Sequence, residues 1–196
     1  MHKPIAVFFA GCNGSGKSTL RDEILQSHQF VIDADLIAKQ INFSHILSAD
    51  IAAGREAIRQ FYNFLQQKQS FSIETTLSGT GAIRHMQKDK NAGFAVHLYY
   101  CALANVELNI ARVAYRVEKG GHDIPEQTIR RRYVTSLQNL KTALALADNA
   151  IVFDNSEIHQ AYKICIANNE IFDIPNWLKP YLPNDFFSGS LNNEPR

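Results

Sequence analysis

An α/β fold, with helices layered on both faces of a parallel sheet, follows from three observations on this sequence. Short apolar runs of strand length, such as Ile5-Ala-Val-Phe-Phe-Ala10, recur five times, and runs apolar throughout suit strands buried on both faces. Helical segments separate those runs, the pattern of right-handed crossovers between parallel strands. Finally, Gly11-Cys-Asn-Gly-Ser-Gly-Lys-Ser18 follows the first run and leads into Thr19-Leu-Arg-Asp-Glu-Ile-Leu. The pattern G-x-x-x-x-G-K-[ST] between strand and helix is that of a phosphate-binding loop. By chance it arises in roughly one chain of this length in a hundred, before its flanks are required.

The elements are expected in this order. After the first helix, Phe30–Asp33 is a second strand ending in Asp33-Ala-Asp35. Residues 36–67 read as largely helical, with Ser44 and Ser48 as candidate caps and 55–67 as one periodic helix. Ser70–Glu74 is the third strand, Gly81–Lys90 a helix and Asn91-Ala-Gly93 a turn. Phe94–Cys101 is the fourth strand and Val106–Glu118 a helix broken by Gly120-Gly121. Pro125 opens the next helix, with Asp123 or Ile124 near its cap, running to about residue 146. Ala150–Asp154 is the fifth strand, and His159–Asn169 closes the unit as a helix or partial helix. The architecture expected is a P-loop NTPase or kinase-like three-layer sandwich with a five-stranded parallel sheet.

Length and composition bound what this fold can serve. The 196 residues allow one well-buried domain, placed at 1–170, and a tail over 171–196 holding four of the six prolines. That tail is expected to pack irregularly and then lose order. A net charge of +1 offers no field for polyanions, so nucleic acid is a disfavoured partner. Cys12, Cys101 and Cys165 are odd in number and far apart, which suits a reducing compartment, and the protein is expected to be cytoplasmic. The chain runs straight into its first strand, and no apolar run has the length to span a bilayer.

In parallel sheets ligands gather at the carboxyl ends of the strands. That rule brings the loop 11–18, Asp33 and Asp35, Glu74 to Thr76, and Asp154 with Asn155 to one edge. Gly11, Asn13, Gly14, Ser15, Gly16, Lys17, Ser18 and Thr19 form the expected nucleotide cradle, with Ser18 as the metal ligand. The guanine-reading N-K-x-D pattern is missing, and either Asp154 or Asp33 could be the acid ending an apolar strand. Arg112 and Arg116, at i and i+4, share a helix face. Beyond the Gly120-Gly121 break stands Arg130-Arg131-Arg132. Two basic helices joined by glycines suit a lid closing over a triphosphate. The plainer reading pairs these arginines with Glu107, Glu118 and Glu126 on a solvated surface. A carboxylate must serve as general base, and of Asp33 and Asp35 only one is expected to face the transfer site.

These pieces together resemble the zeta-toxin family of P-loop kinases, in its compact stand-alone branch. The matching segments are AGCNGSGKSTL (10–20), VIDAD (31–35), Gly54-Arg55, SFSIETTLSG (70–79), ARVAYRV and GGHDIPEQTIRRRY (111–133), SLQNL (136–140) and FDNS (153–156). The resemblance implies a kinase using ATP and Mg²⁺ to phosphorylate the 3′-hydroxyl of the sugar in UDP-N-acetylglucosamine. By position, Asp35 matches the catalytic base, Lys17 and Ser18 hold phosphate and metal, and Arg116 matches a lid arginine. Arg112 is assigned to the nucleotide, and Arg55, Glu74, Thr76, His122 and Arg132 to the acceptor. The chain departs from the family on that acceptor side. His122 stands where longer toxins have arginine, leaving Arg130 or Arg132 to supply a second lid charge, and Ile58 stands in place of a substrate-binding glutamate. An antitoxin partner is implied as well. Two other readings remain at this level: a nucleoside or nucleic-acid end kinase, and a nucleotide-gated interaction protein without catalysis.

Overall fold

The structure, a computed structural model, describes residues 2–25, 30–41, 46–157, 162–167 and 170–184, with side chains beyond residue 50 in the second helical stretch. The candidate cap Ser44 and the Ser48 side chain lie outside that set.

Strand β1 (Ile5–Ala10) runs into the phosphate loop and helix α1 (Lys17–Ile24). Then come β2 (Val31–Ile32), α2 (Ala34–Gln40), α3 (Ile46–Gln67), β3 (Phe71–Thr75) and α4 (Thr80–Asn91). The second half holds β4 (Ala95–Ala102), α5 (Val106–Glu118), α6 (Glu126–Leu146), β5 (Asn149–Asp154), β6 (Lys163–Ala167) and β7 (Glu170–Ile171). One sheet takes all seven strands in the order β2-β3-β1-β4-β5-β6-β7. The first five are parallel, and β6 and β7 are antiparallel additions at one edge.

Three expectations need correction. The sheet has seven strands rather than five, and residues 163–167 form a strand where a closing helix was expected; residues 158–161 and 168–169 of that segment lie outside the described set. Ile-Cys-Ile-Ala is too short for periodicity to separate helix from strand. Pairing with β5 across a register shift at Val152/Phe153 decides it, burying Cys165 and Ile166 fully. The cap of α6 is Pro125 itself, extended at φ −53° and ψ 135°, rather than the residues before it.

Strand β1 is central, with β3 on one side and β4 on the other, and the chain winds outward from it both ways. Ala6, Phe8, Phe9 and Ala10 are fully buried, as a strand covered on both faces must be. Phe61 and Phe71, Phe94, Leu98, Leu140 and Val152 continue the same core. Ile174, Leu178 and Leu182, from the segment after β7, are buried in it too. Leu178 to Leu182 brackets the short 3₁₀ turn Lys179–Tyr181 that packs on α6. The expected loss of order beyond falls on residues 185–196, outside the described set. Because β1 divides the sheet's two winding directions, the crevice at its carboxyl end is where a ligand fits.

Candidate active site

The loop leaving β1 is held from outside. Asn109 Nδ2 donates to the Asn13 carbonyl (2.6 Å), Asn155 Nδ2 to that of Ser15 (2.8 Å) and the Tyr162 hydroxyl to that of Gly16 (3.0 Å). A trans peptide sets its N–H opposite its C=O. Tethering these carbonyls outward therefore turns the N–H groups of Gly14, Gly16 and Lys17 inward, the arrangement an anion needs. Gly11, Gly14 and Gly16 are required by contact as well as by conformation. At Gly11 (φ +142°) a Cβ would lie 2.4 Å from the Cys101 carbonyl oxygen, and at Gly16 (φ +99°) 2.4 Å from Asn155 Nδ2. Gly16 caps α1 with no side chain over its first turn, so the positive helix end opens on the loop. The Ser15 hydroxyl is buried there with no hydrogen-bond partner among the described residues.

Four charged side chains close the floor of the loop. The Ser18 hydroxyl donates to Glu74 Oε1 at 2.7 Å, and Lys17 Nζ stands 3.6 Å from the same oxygen. Arg21, from the second turn of α1, sends Nη1 to both Glu74 Oε2 and Asp33 Oδ2, each at 2.7 Å. Burial would lower the Arg21 pKa, but the hydrogen bonds to Asp33 and Asp22 and the Glu74 charge raise it above its ordinary value. The acid that meets the Ser18 hydroxyl is thus Glu74, and neither Asp33 nor Asp154. Asp154 closes the turn after β5 by accepting from Ser156 N at 3.0 Å.

The two aspartates after β2 separate by role. Asp33 is buried and caps α2, its Oδ1 accepting from the amides of Asp35 (3.0 Å) and Leu36 (3.2 Å). Asp35 is exposed and lines a cleft of about 310 Å³ with Ala34, His122, Asp123, Ile124, Pro125 and Arg132.

The arginines divide in the same way. Arg132 Nη1 donates to Asn13 Oδ1 at 3.0 Å, linking α6 to the loop. Arg130, two residues before, turns outward: it grips Glu107 with both terminal nitrogens (2.6 and 3.1 Å) and Glu126 with Nε (2.8 Å). Arg112 Nη2 holds the carbonyl of Asn155 (2.8 Å), itself one of the residues that brace the loop. Arg116 Nη2 reaches the His122 carbonyl (3.0 Å) across the glycine break, and its Nε is buried without a partner among the described residues. Thr76 Oγ1 lies 2.8 Å from Ser78 Oγ in the turn after β3, where Leu77 takes the left-handed φ of +54° with its side chain buried. Arg55 stands apart, exposed on α3, joined to the loop by no hydrogen bond or ion pair among the described residues. Thr19 is exposed at the start of α1. Cys12, inside the loop, is buried against the Ile129 carbonyl, and burial pushes its thiol up to about 11, which makes it an inert packing group.

Sequence reasoning missed Arg21 and the braces Asn109 and Tyr162. The spacing Lys17 to Arg21, one helical turn, was the available signal for Arg21. For the braces Asn109 and Tyr162 the partners lie 96 and 146 residues away in the chain, and no local pattern marks them.

A phosphate loop at the switch point of a mostly parallel sheet, floored by a lysine, a serine and a carboxylate, defines a nucleotide-dependent phosphotransferase of the P-loop class. This chain belongs to the zeta toxin family, whose model matches residues 1–171. A protein of Haemophilus influenzae described only as uncharacterised is 48% identical over 128 residues, 65% of this chain and 91% of that one. Among solved structures, one from the PezAT chromosomal toxin–antitoxin system of Streptococcus pneumoniae superposes with a TM-score of 0.68 at 20% identity, covering 93% of this chain and 79% of that one. AvrRxo1-ORF1:ORF2 with ATP gives 0.70 at 14% identity over 84% of this chain, which spans only 58% of its length. A putative kinase from Chloroflexus aurantiacus gives 0.52 at 15% identity, with 69% and 79% covered. At such identities these structures establish the shared fold.

Proposed function

We propose that this protein is an ATP- and Mg²⁺-dependent kinase that phosphorylates a hydroxyl of a small acceptor, a sugar nucleotide such as UDP-N-acetylglucosamine. The observation that carries the reading is the shared cleft: Asp35 and Arg132 line it together, and Arg132 also hydrogen-bonds the phosphate loop through Asn13. A general base and a phosphate-facing cation thus meet at one opening.

The loop's chemistry fits a polyphosphate. Its amides turn inward, and the buried Ser15 hydroxyl has no hydrogen-bond partner among the described residues, leaving a donor free for an anion. Gly11, Asn13, Gly14, Ser15, Gly16, Lys17 and Thr19 would hold the phosphates, with Arg112 beside the nucleotide. Ser18 would hold the metal, with Glu74 hydrogen-bonded to its hydroxyl. When bound, Mg²⁺ supplies charge neutralisation on the β- and γ-phosphates. Asp35 takes the proton of the acceptor hydroxyl, whose oxygen forms the new bond to phosphorus as the bond to the β-phosphate oxygen breaks. Asp33 is unsuited to that task because both its oxygens are engaged by Arg21 and the α2 amides. Arg132 and Arg116 would neutralise the transferring group, Arg132 serving rather than Arg130, whose charge is spent on Glu107 and Glu126. His122, Thr76 and Arg55 would meet the acceptor, while Glu74, both oxygens engaged by Ser18, Lys17 and Arg21, would serve the metal side. A second unit of the reading is an antitoxin partner in a cytoplasmic setting, supported by family membership.

Incubation with ATP, Mg²⁺ and UDP-N-acetylglucosamine should add the mass of one phosphate to the sugar nucleotide. ATP binding without transfer to any sugar nucleotide or nucleoside would overturn the reading.

A further inference from the structure

We propose that Arg21 is a positioning residue: a built-in cation that fastens the metal-side carboxylate Glu74 to the turn carrying Asp35, so that donor and acceptor halves of the site keep one geometry. The inference rests on the kinase reading for its consequence in turnover, though not for the linkage itself.

The guanidinium is buried, its side chain 10% exposed, between two carboxylates only 9% and 8% exposed. Its other two nitrogens are also engaged, Nε and Nη2 both reaching Asp22 Oδ1 (3.0 and 2.9 Å). A planar fork with this many fixed donors suits such a junction better than a single ammonium. Each carboxylate divides its oxygens between Arg21 and a working element. Glu74 gives Oε2 to Arg21 and Oε1 to Ser18 and Lys17. Asp33 gives Oδ2 to Arg21 and Oδ1 to the amides of Asp35 and Leu36. Arg21 therefore joins three elements, α1, the end of β3 and the start of α2. Without that charge, two buried carboxylates converging on one point would repel. The turn at Asp33 would then release the amides that fix Asp35, while Glu74 would lose its hold relative to the loop.

The test compares the full chain with Arg21→Met and Arg21→Lys. Amide hydrogen exchange, measured without nucleotide, should accelerate about tenfold or more at Asp35 and Leu36 in Arg21→Met, while core amides such as Phe8 and Leu98 keep their protection. Phosphate transfer should fall by about 10–100-fold in kcat, the usual cost of losing a supporting partner, with KM for ATP changed little. Arg21→Lys keeps the charge but lacks the fork, so it should recover part of both effects. If Arg21→Met does not fold, the intermediate behaviour of Arg21→Lys carries the test. Unchanged exchange at Asp35 and Leu36, exchange raised equally throughout the core, or a lysine variant no better than methionine would each overturn the inference. Should the unaltered protein transfer phosphate to nothing, the kinase reading fails while the exchange result still decides the linkage.

Discussion

At the carboxyl edge of the sheet, Asp33 and Glu74 are buried beside Arg21 and Lys17, every oxygen in contact with a donor. At the amino edge, where the end of α4 turns into β4, Asp89 is fully buried and neither carboxylate oxygen has a partner among the described residues. Burial pushes the Asp89 carboxyl up to about 7. One protein thus meets the cost of burying an acid in two ways. Where phosphate chemistry needs negative charge, it brings in cations; where no chemistry occurs, the acid takes up a proton. Under the proposed function the difference separates residues that serve turnover from residues that set stability, and each of the following measurements presses on that separation.

The largest effect belongs to Asp35→Asn, which removes the proposed base but leaves the loop and its braces intact. Steady-state transfer should lose about 10²–10⁴ in kcat, with affinity for an ATP analogue retained in calorimetry. Turnover that survives would move the base elsewhere on the carboxyl edge. Lys17→Met should cost about 10²–10³ in kcat/KM by deleting the loop's point charge. Arg132→Ala comes next, at roughly tenfold or more in kcat, because its cation faces the loop through Asn13.

Asp89→Asn should leave turnover alone and act on stability, with a dependence on pH that identifies it. The folded chain keeps the Asp89 proton to about pH 7, whereas the unfolded chain gives it up near 3.8. The stabilisation from that proton is complete below pH 4 and is lost as pH rises from 4 through 7, an upper bound of about 4 kcal/mol by pH 8. The asparagine variant should therefore raise Tm at pH 8, gain less at pH 5 and show no gain near pH 4. A gain independent of pH would show that the charge is not what Asp89 costs. The smallest effect is expected of Arg130→Ala: an exposed ion pair with Glu107 and Glu126 is worth little, so turnover and Tm should both stay nearly unchanged.

Much of the fold could be read from local pattern. Val106–Glu118 begins and ends where periodicity and the glycine break place it, because Asn105 caps one end and Gly120 turns left-handed (φ +84°) past the other. The phosphate loop is equally local, since its glycines answer to backbone geometry within eight residues. Strand β6 was illegible because four apolar residues carry no period, and only β5, already in place, supplied the unpaired edge that made them a strand. Residue type and spacing alone did not separate Asp33 from Asp35, where only the resemblance favoured Asp35, or Arg130 from Arg132: each pair offers one chemistry at nearly adjacent positions. Partners from other elements separate them, Arg21 for Asp33 and Glu107 for Arg130.

By itself, then, the order of residues determined that a strand, a glycine-rich turn and a helix would present amides and a lysine to phosphate, because those preferences act over one or two turns of chain. Which carboxylates stay tied down and which one lines an open cleft was decided only when distant segments packed together. A buried charge settles beside whatever opposite charge the fold brings within hydrogen-bond reach, and no short stretch of sequence contains that information.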